Sequence, residues 1–157
     1  MIIQLVGAFI GSLGFGIVVK IKGKQILYAG IGGMITWYIY LMSYNAVESY
    51  FIANFIASVF VGFFAEVMAR VNKTPTTIFL TAAAIPLFPG GRLYYAMYGL
   101  VTENNQLFVQ SATTAATIAI AISIGFMSVT VCMKYVNKFI RLRQTQMEKK
   151  LKDTIDK

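Results

Sequence analysis

Long apolar runs separated by short polar clusters dominate the chain, and their length is the first constraint. Crossing the hydrocarbon core of a bilayer takes about 20 mainly apolar residues in a helix. Five segments reach or approach that length, at residues 2–19, 25–43, 50–69, 76–101 and 107–133. The pattern predicts an all-α polytopic membrane protein with about five transmembrane helices, a transmembrane domain at 1–133 and a basic amphipathic tail helix at 134–157. The fourth segment differs from the others because Ile85-Pro86-Leu87-Phe88-Pro89-Gly90-Gly91 interrupts it. Pro89 removes a backbone donor and clashes with the preceding turn, while two glycines relax the chain. The fourth helix is therefore expected to be broken at this motif.

Small residues punctuate the apolar runs. The first carries Gly7-x-x-x-Gly11 followed by Gly14 and Gly16, and the second carries Gly30, Gly32 and Gly33. The fifth carries Ser111, Ala112, Thr113, Thr114, Ala115, Ala116, Thr117, Ala119 and Ala121. Lipid tails are as apolar as the side chains, so helices associate there by close packing at small residues. These positions are expected at helix contacts; a polar wall along a solute path is the alternative for the fifth segment. Trp37, Tyr38 and Tyr40 near one end of the second segment suggest an interfacial aromatic belt. In the tail, Val136, Ile140, Met147, Leu151 and Ile155 form one apolar stripe on a cationic helix, suited to an anionic lipid surface or a partner helix.

Composition removes other classes. Of the 157 residues, 57% are apolar and 13% charged, where a soluble domain carries about a quarter charged residues. A net charge of +8 is compatible with nucleic-acid binding, but 8 of the 14 basic residues lie in the last 24 positions and the others sit mostly at span ends, where lipid headgroups explain them. No nucleic-acid partner is expected. Histidine is absent and Cys132 is the one cysteine, which excludes His-based metal sites, Ser-His-Asp triads and disulfide scaffolds. No carboxylate cluster or phosphate loop falls in the spans, so neither an enzyme nor an ATP-driven pump is expected, and no cofactor or metal.

Lys20, Lys22 and Lys24 follow the first span, Arg70 and Lys73 the third, and the tail from Lys134 the fifth. With five spans all three clusters share one side, which predicts the N-terminus outside and the C-terminus in the cytoplasm of a cell (inner) membrane. Residues 1–19 lack a basic n-region ahead of the apolar run and are expected to be a retained span.

Two ionisable residues fall inside spans. Glu66 precedes Arg70 by four positions, the favourable order for an ion pair on a helix, and the alternative role is ion coupling. Arg92 follows the break. A half-helix beginning near Gly91 would aim free N–H groups, with Arg92 beside them, at an anionic group such as a carboxylate. The expected substrate path comprises Pro86, Pro89, Gly90, Gly91, Arg92 and Tyr95; the alternatives are a kink repaired by neighbouring helices and an Arg92 that snorkels to the interface.

The run Ala69-Arg70, Thr74-Pro75, Thr77-Ile78-Phe79-Leu80, the proline-glycine motif from Ile85 to Gly91 and Tyr94-Tyr95-x-Met97 resembles the smaller subunit of the threonine/serine exporter family. Gly14-Phe15-Gly16-Ile17-Val18, Lys22-Gly23-Lys24 and Tyr28-Ala29-Gly30-x-Gly32-Gly33 are similar to that subunit's opening, and the likeness covers about residues 5–133. One departure is Thr81-Ala82-Ala83, where relatives often carry a further proline and glycine. The resemblance implies a secondary transporter subunit exporting threonine and serine, or a small dicarboxylate such as succinate. It implies a larger transmembrane subunit of the same family as partner, beside a second copy of the chain and membrane lipids. A non-transporting scaffold that stabilises a membrane partner is the competing expectation.

Overall fold

The computed structural model describes the backbone at residues 1–21 and 23–155 and the side chains up to Phe139, apart from Lys22, with Leu142 and Arg143 beyond. Lys22 and most of the tail's apolar stripe lie outside the described residues. All regular structure described is helical: α1 (Ile2–Val18), α2 (Gln25–Val47), α3 (Tyr50–Asn72), α4 (Thr76–Ala84), a 3-10 turn (Ile85–Leu87), α5 (Gly90–Val101) and α6 (Asn105–Ile155). Three helices are long and apolar enough to cross a membrane: α2, α3 and the Asn105–Phe139 part of α6. α1, with 17 residues, is about 25 Å long, and α4 and α5 are shorter. The protein is thus an all-helical, multi-pass membrane protein. The tail does not form a separate helix, because α6 runs unbroken through Lys134 to Ile155.

Charged residues in the left-handed backbone region make the reversals. These are Lys20 (φ 59°), Glu48 (φ 53°), Lys73 (φ 52°) and Glu103 (φ 55°). A side chain there costs of order 1–2 kcal/mol relative to glycine. Lysine after a helix C-terminus is favoured by the helix dipole, but Glu48 and Glu103 are not. The residues sort by sign instead, lysines at one end of the bundle and glutamates at the other. At the end of α1 the Ile21 amide bonds the Gly16 carbonyl at 2.9 Å and the Lys20 amide bonds Ile17 at 2.9 Å. This Schellman turn folds Ile21 back into the core, 6% exposed, over the bare face of Gly16.

The core is built largely from alanine and glycine on α2, α3 and α4, so the backbones lie close. Ala57, Val61, Ala83, Ala84, Leu87, Ile118 and Ile122 form one cluster; Ile21, Ala29, Ala65, Ala69, Phe79 and Ala82 form another. Gly62 lies against Val129, Ser58 against Gly125, and Arg70 bonds Asn137, so α3 and α6 run parallel. α5 packs chiefly on α6. Gly99 permits that approach, since a Cβ there would stand 2.7 Å from the backbone nitrogen of Phe108.

Some expected contacts are displaced. No atom lies within 4 Å of where a side chain would begin on Gly7, Gly11 or Gly14. α1 is buried at the expected Gly16 and, in place of Gly7 and Gly11, at the neighbouring Ala8 and Ser12, with Ser12 over Gly33 of α2. On α6, Ser111, Ala115 and Ala121 are buried as packing residues, while Thr113 and Thr117 are exposed and return their hydroxyls to Val109 and to Thr113 on their own helix. No polar wall forms there. Trp37 and Tyr40 turn inward from the expected belt, leaving Tyr38 exposed, because positions 37 and 40 share a helix face that 38 does not.

Candidate functional site

The chain from Thr76 does not continue as one helix. α4 ends at Ala84, Pro86 occupies the 3-10 turn, Phe88 is extended, and Pro89 precedes the first residue of α5. Neither proline can donate, and α5 begins without a side-chain cap. Its first-turn amides therefore have no partner within the helix, and the positive end of its dipole lies at the same point.

A cavity of about 400 Å³ opens beside this turn. Gln4 of α1, Trp37, Tyr40, Leu41 and Tyr44 of α2, Tyr50 and Asn54 of α3, and Ile118 of α6 form its walls. Pro86, Leu87, Phe88, Pro89, Gly91, Arg92 and Tyr95 close it on the remaining side. Of the residues expected from the sequence, Pro86, Pro89, Gly91, Arg92 and Tyr95 thus come together. Gly90 lies outside the lining and faces open space. Glu66 also lies outside it, further along α3 beside Arg70.

Arg92 is half-buried. Its Nη2 donates to the Tyr50 hydroxyl at 2.7 Å, and its guanidinium carbon lies 5.1 Å from the centroid of the same ring. Tyr50 continues a ladder of rings, 5.0 Å from Tyr44, which is 6.0 Å from Tyr40, which is 4.8 Å from Trp37. None of the cavity's lining residues is acidic, and among the described residues no carboxylate pairs with Arg92. The guanidinium has a neutral acceptor for one of its five donors and retains its full charge. The Trp37 indole Nε1 is also shielded and without an acceptor.

Glu66 occupies a different setting. Its Oε2 is 3.7 Å from Arg70 Nη2, and its Oε1 accepts from the Thr76 hydroxyl at 3.4 Å. Arg70 Nη2 also donates to Asn137 Oδ1 at 2.7 Å. The expected ion pair is present, at the end of the bundle away from the cavity. Among the described residues no cluster of His, Cys, Asp or Glu could hold a metal.

The sequence profile described as Threonine/Serine exporter, ThrE, matches residues 4–132. The chain belongs to the threonine/serine exporter family. It is a transport protein and not an enzyme. The match spans α1 to α6 up to Cys132, so the Pro-Gly turn and its cavity lie within the family's common part. No curated protein and no solved structure matches the chain.

Tyr44, Tyr50, Asn54 and Gln4 were not among the residues expected in the site. Asn54 had a usable signal, as a polar amide inside an apolar run, where such groups mark interiors or cavities. Trp37, Tyr40 and Tyr44, spaced by three and four, carry a one-face signature, whereas the expected interfacial belt took Trp37, Tyr38 and Tyr40.

Proposed function

We propose that this exporter-family chain is the smaller, five-span subunit of a secondary transporter that moves a small carboxylate-bearing solute through the cavity at the Pro-Gly turn. The observation that carries the proposal is Arg92, a half-buried cation with no carboxylate partner among the described residues, beside a helix start without a side-chain cap and in a cavity without acidic lining. Burying a cation is costly, so a site that keeps one exposed to a cavity gains most from an anion. Arg92 would bind the solute carboxylate, with the backbone amides of Gly91 and Arg92 as further donors, since those of Gly90 and Leu93 already bond the Phe88 and Pro89 carbonyls. Threonine or serine would lay its ammonium against the tyrosine faces, as cation–π attraction favours. A small dicarboxylate such as succinate would use Arg92 and the α5 amides together.

The parallel course of α3 and α6 supports five crossings, because residues 76–101 must then return the chain across the bilayer. The lysine-bearing reversals support an N-terminus outside and a C-terminus in the cytoplasm of the cell membrane. A fluorescent reporter after Lys157 should then be bright in the cytoplasm, and activity of an external reporter there would overturn this topology.

A larger transmembrane subunit of the family is the proposed partner, since one cavity with a single charged residue leaves much of a site to be supplied. The deciding experiment purifies the chain with and without that subunit and measures efflux of threonine, serine and succinate from proteoliposomes. Efflux is expected only from the pair. Stabilisation of the larger subunit with no solute movement would replace this reading with a scaffold.

A further inference from the structure

Two stripes run side by side down α3, each repeating every four residues. Ala53, Ala57, Val61, Ala65 and Ala69 are buried in the apolar core. Asn54, Ser58, Gly62, Glu66 and Arg70 form the second, polar or small throughout. Asn54 lines the cavity, Ser58 meets Gly125, Gly62 meets Val129, and Arg70 bonds Asn137. The second stripe therefore leads from the cavity to the far end of the bundle along the seam with α6.

Little polar bonding holds that seam. Ser58 is fully buried, yet its hydroxyl donates to the Phe55 carbonyl within α3. Among the described residues, the one hydrogen bond from α3 to α6 is Arg70 to Asn137. α5 packs on α6, so the α5–α6 hairpin meets the rest of the molecule along this seam, through Ile118 and Ile122 against Ala83, Ala84 and Leu87, and through Arg92 to Tyr50 at the cavity end. On the α6 side the seam carries the buried apolar Ile118, Ile122 and Val129 opposite the small residues of α3, and such contacts are non-directional, so it can part without leaving buried donors unpaired. Only the polar bonds at its two ends must exchange.

We infer that the α3–α6 seam is the surface that opens towards the basic end during transport, and that the Arg70–Asn137 bond is the latch holding it shut. Glu66 and Thr76 hold Arg70 in place for this role. The inference rests on the transport reading for its purpose, but its test requires no solute. A Cys132→Ser, Ser58→Cys protein in native membranes, with its partner present, reports the seam by its reaction with a membrane-impermeant maleimide applied from the basic end. Asn137→Ala should raise the labelling rate at position 58 about fivefold, the effect of losing one exposed charge-assisted bond. Asn137→Asp, which offers Arg70 a full ion pair, should lower it below the parent rate. Equal rates in the three proteins, or an Asp variant that labels as fast as the Ala variant, would remove the latch. Failure of efflux with these labelling shifts intact would count against the transport reading alone.

Discussion

Arg92 and Arg70 stand near opposite ends of the same bundle and are answered differently. Arg70 is 47% exposed, faces the Glu66 carboxylate and bonds the Asn137 amide. Arg92 is more enclosed, and its partner is the neutral hydroxyl and ring of Tyr50. An arginine already beside a carboxylate offers little to a passing anion, because the pair is close to neutral. One answered by a phenol keeps its charge while its side chain is held in a defined direction. Under the proposed function, the pairing more than the presence of charge makes Arg92 and not Arg70 the cation that meets the solute.

The comparison breaks first at Arg92. Arg92→Ala should raise the KM for efflux about 10- to 100-fold, the loss of hydrogen bonds to a charged group worth roughly 1.5–3 kcal/mol. Arg92→Lys should fall between the two, since lysine keeps the charge but lacks the planar fork. Normal KM in Arg92→Ala, measured in proteoliposomes at normal expression, would place the binding cation elsewhere. Gly91→Leu against Gly90→Leu sharpens the geometry. Both positions face open space, so both proteins should accumulate, but only Gly91 borders the cavity, and only its leucine should suppress efflux strongly.

Packing gives the next contrast. Gly125→Ala forces a methyl onto Ser58 and within 3.2 Å of the Phe55 carbonyl oxygen, and should cost about 1–3 kcal/mol as overpacking. Gly7→Ala meets nothing and should be neutral or stabilising by roughly 0.5–1 kcal/mol through helix propensity. Unfolding in detergent monitored by circular dichroism separates the two. The smallest effect belongs to Glu66→Gln. Loss of a part-exposed pair should cost about 1 kcal/mol or less, lower abundance slightly and leave any pH coupling of efflux intact. Efflux uncoupled from a pH gradient at unchanged abundance would instead make Glu66 an ion-coupling group.

The 3-10 turn and the extended Phe88 between α4 and α5 fall where the sequence places Pro86 and Pro89, and a proline lacks an N–H wherever it is placed. The Glu66–Arg70 pair was legible because four residues on a helix fix the proximity. Facing was harder to read. In α1 Gly7 and Gly11 precede Ala8 and Ser12 by one position each, and only Ala8 and Ser12 are buried. A span that is apolar on every side gives no amphipathic pattern to tell the lipid face from the protein face. The same loss of contrast hid the inward turn of Trp37 and Tyr40.

Hydrophobic length was enough to determine the membrane class and the all-helical fold. These are local properties, set by the bilayer's thickness and by the backbone itself. Tertiary structure alone decided that Tyr50, far from Arg92 in the chain, would be its partner, that α3 and α6 would run parallel, and that Asn137 would meet Arg70. Each depends on which helix faces meet. In lipid that choice is made by close packing of small residues across helices, a property of pairs of segments that no single segment carries.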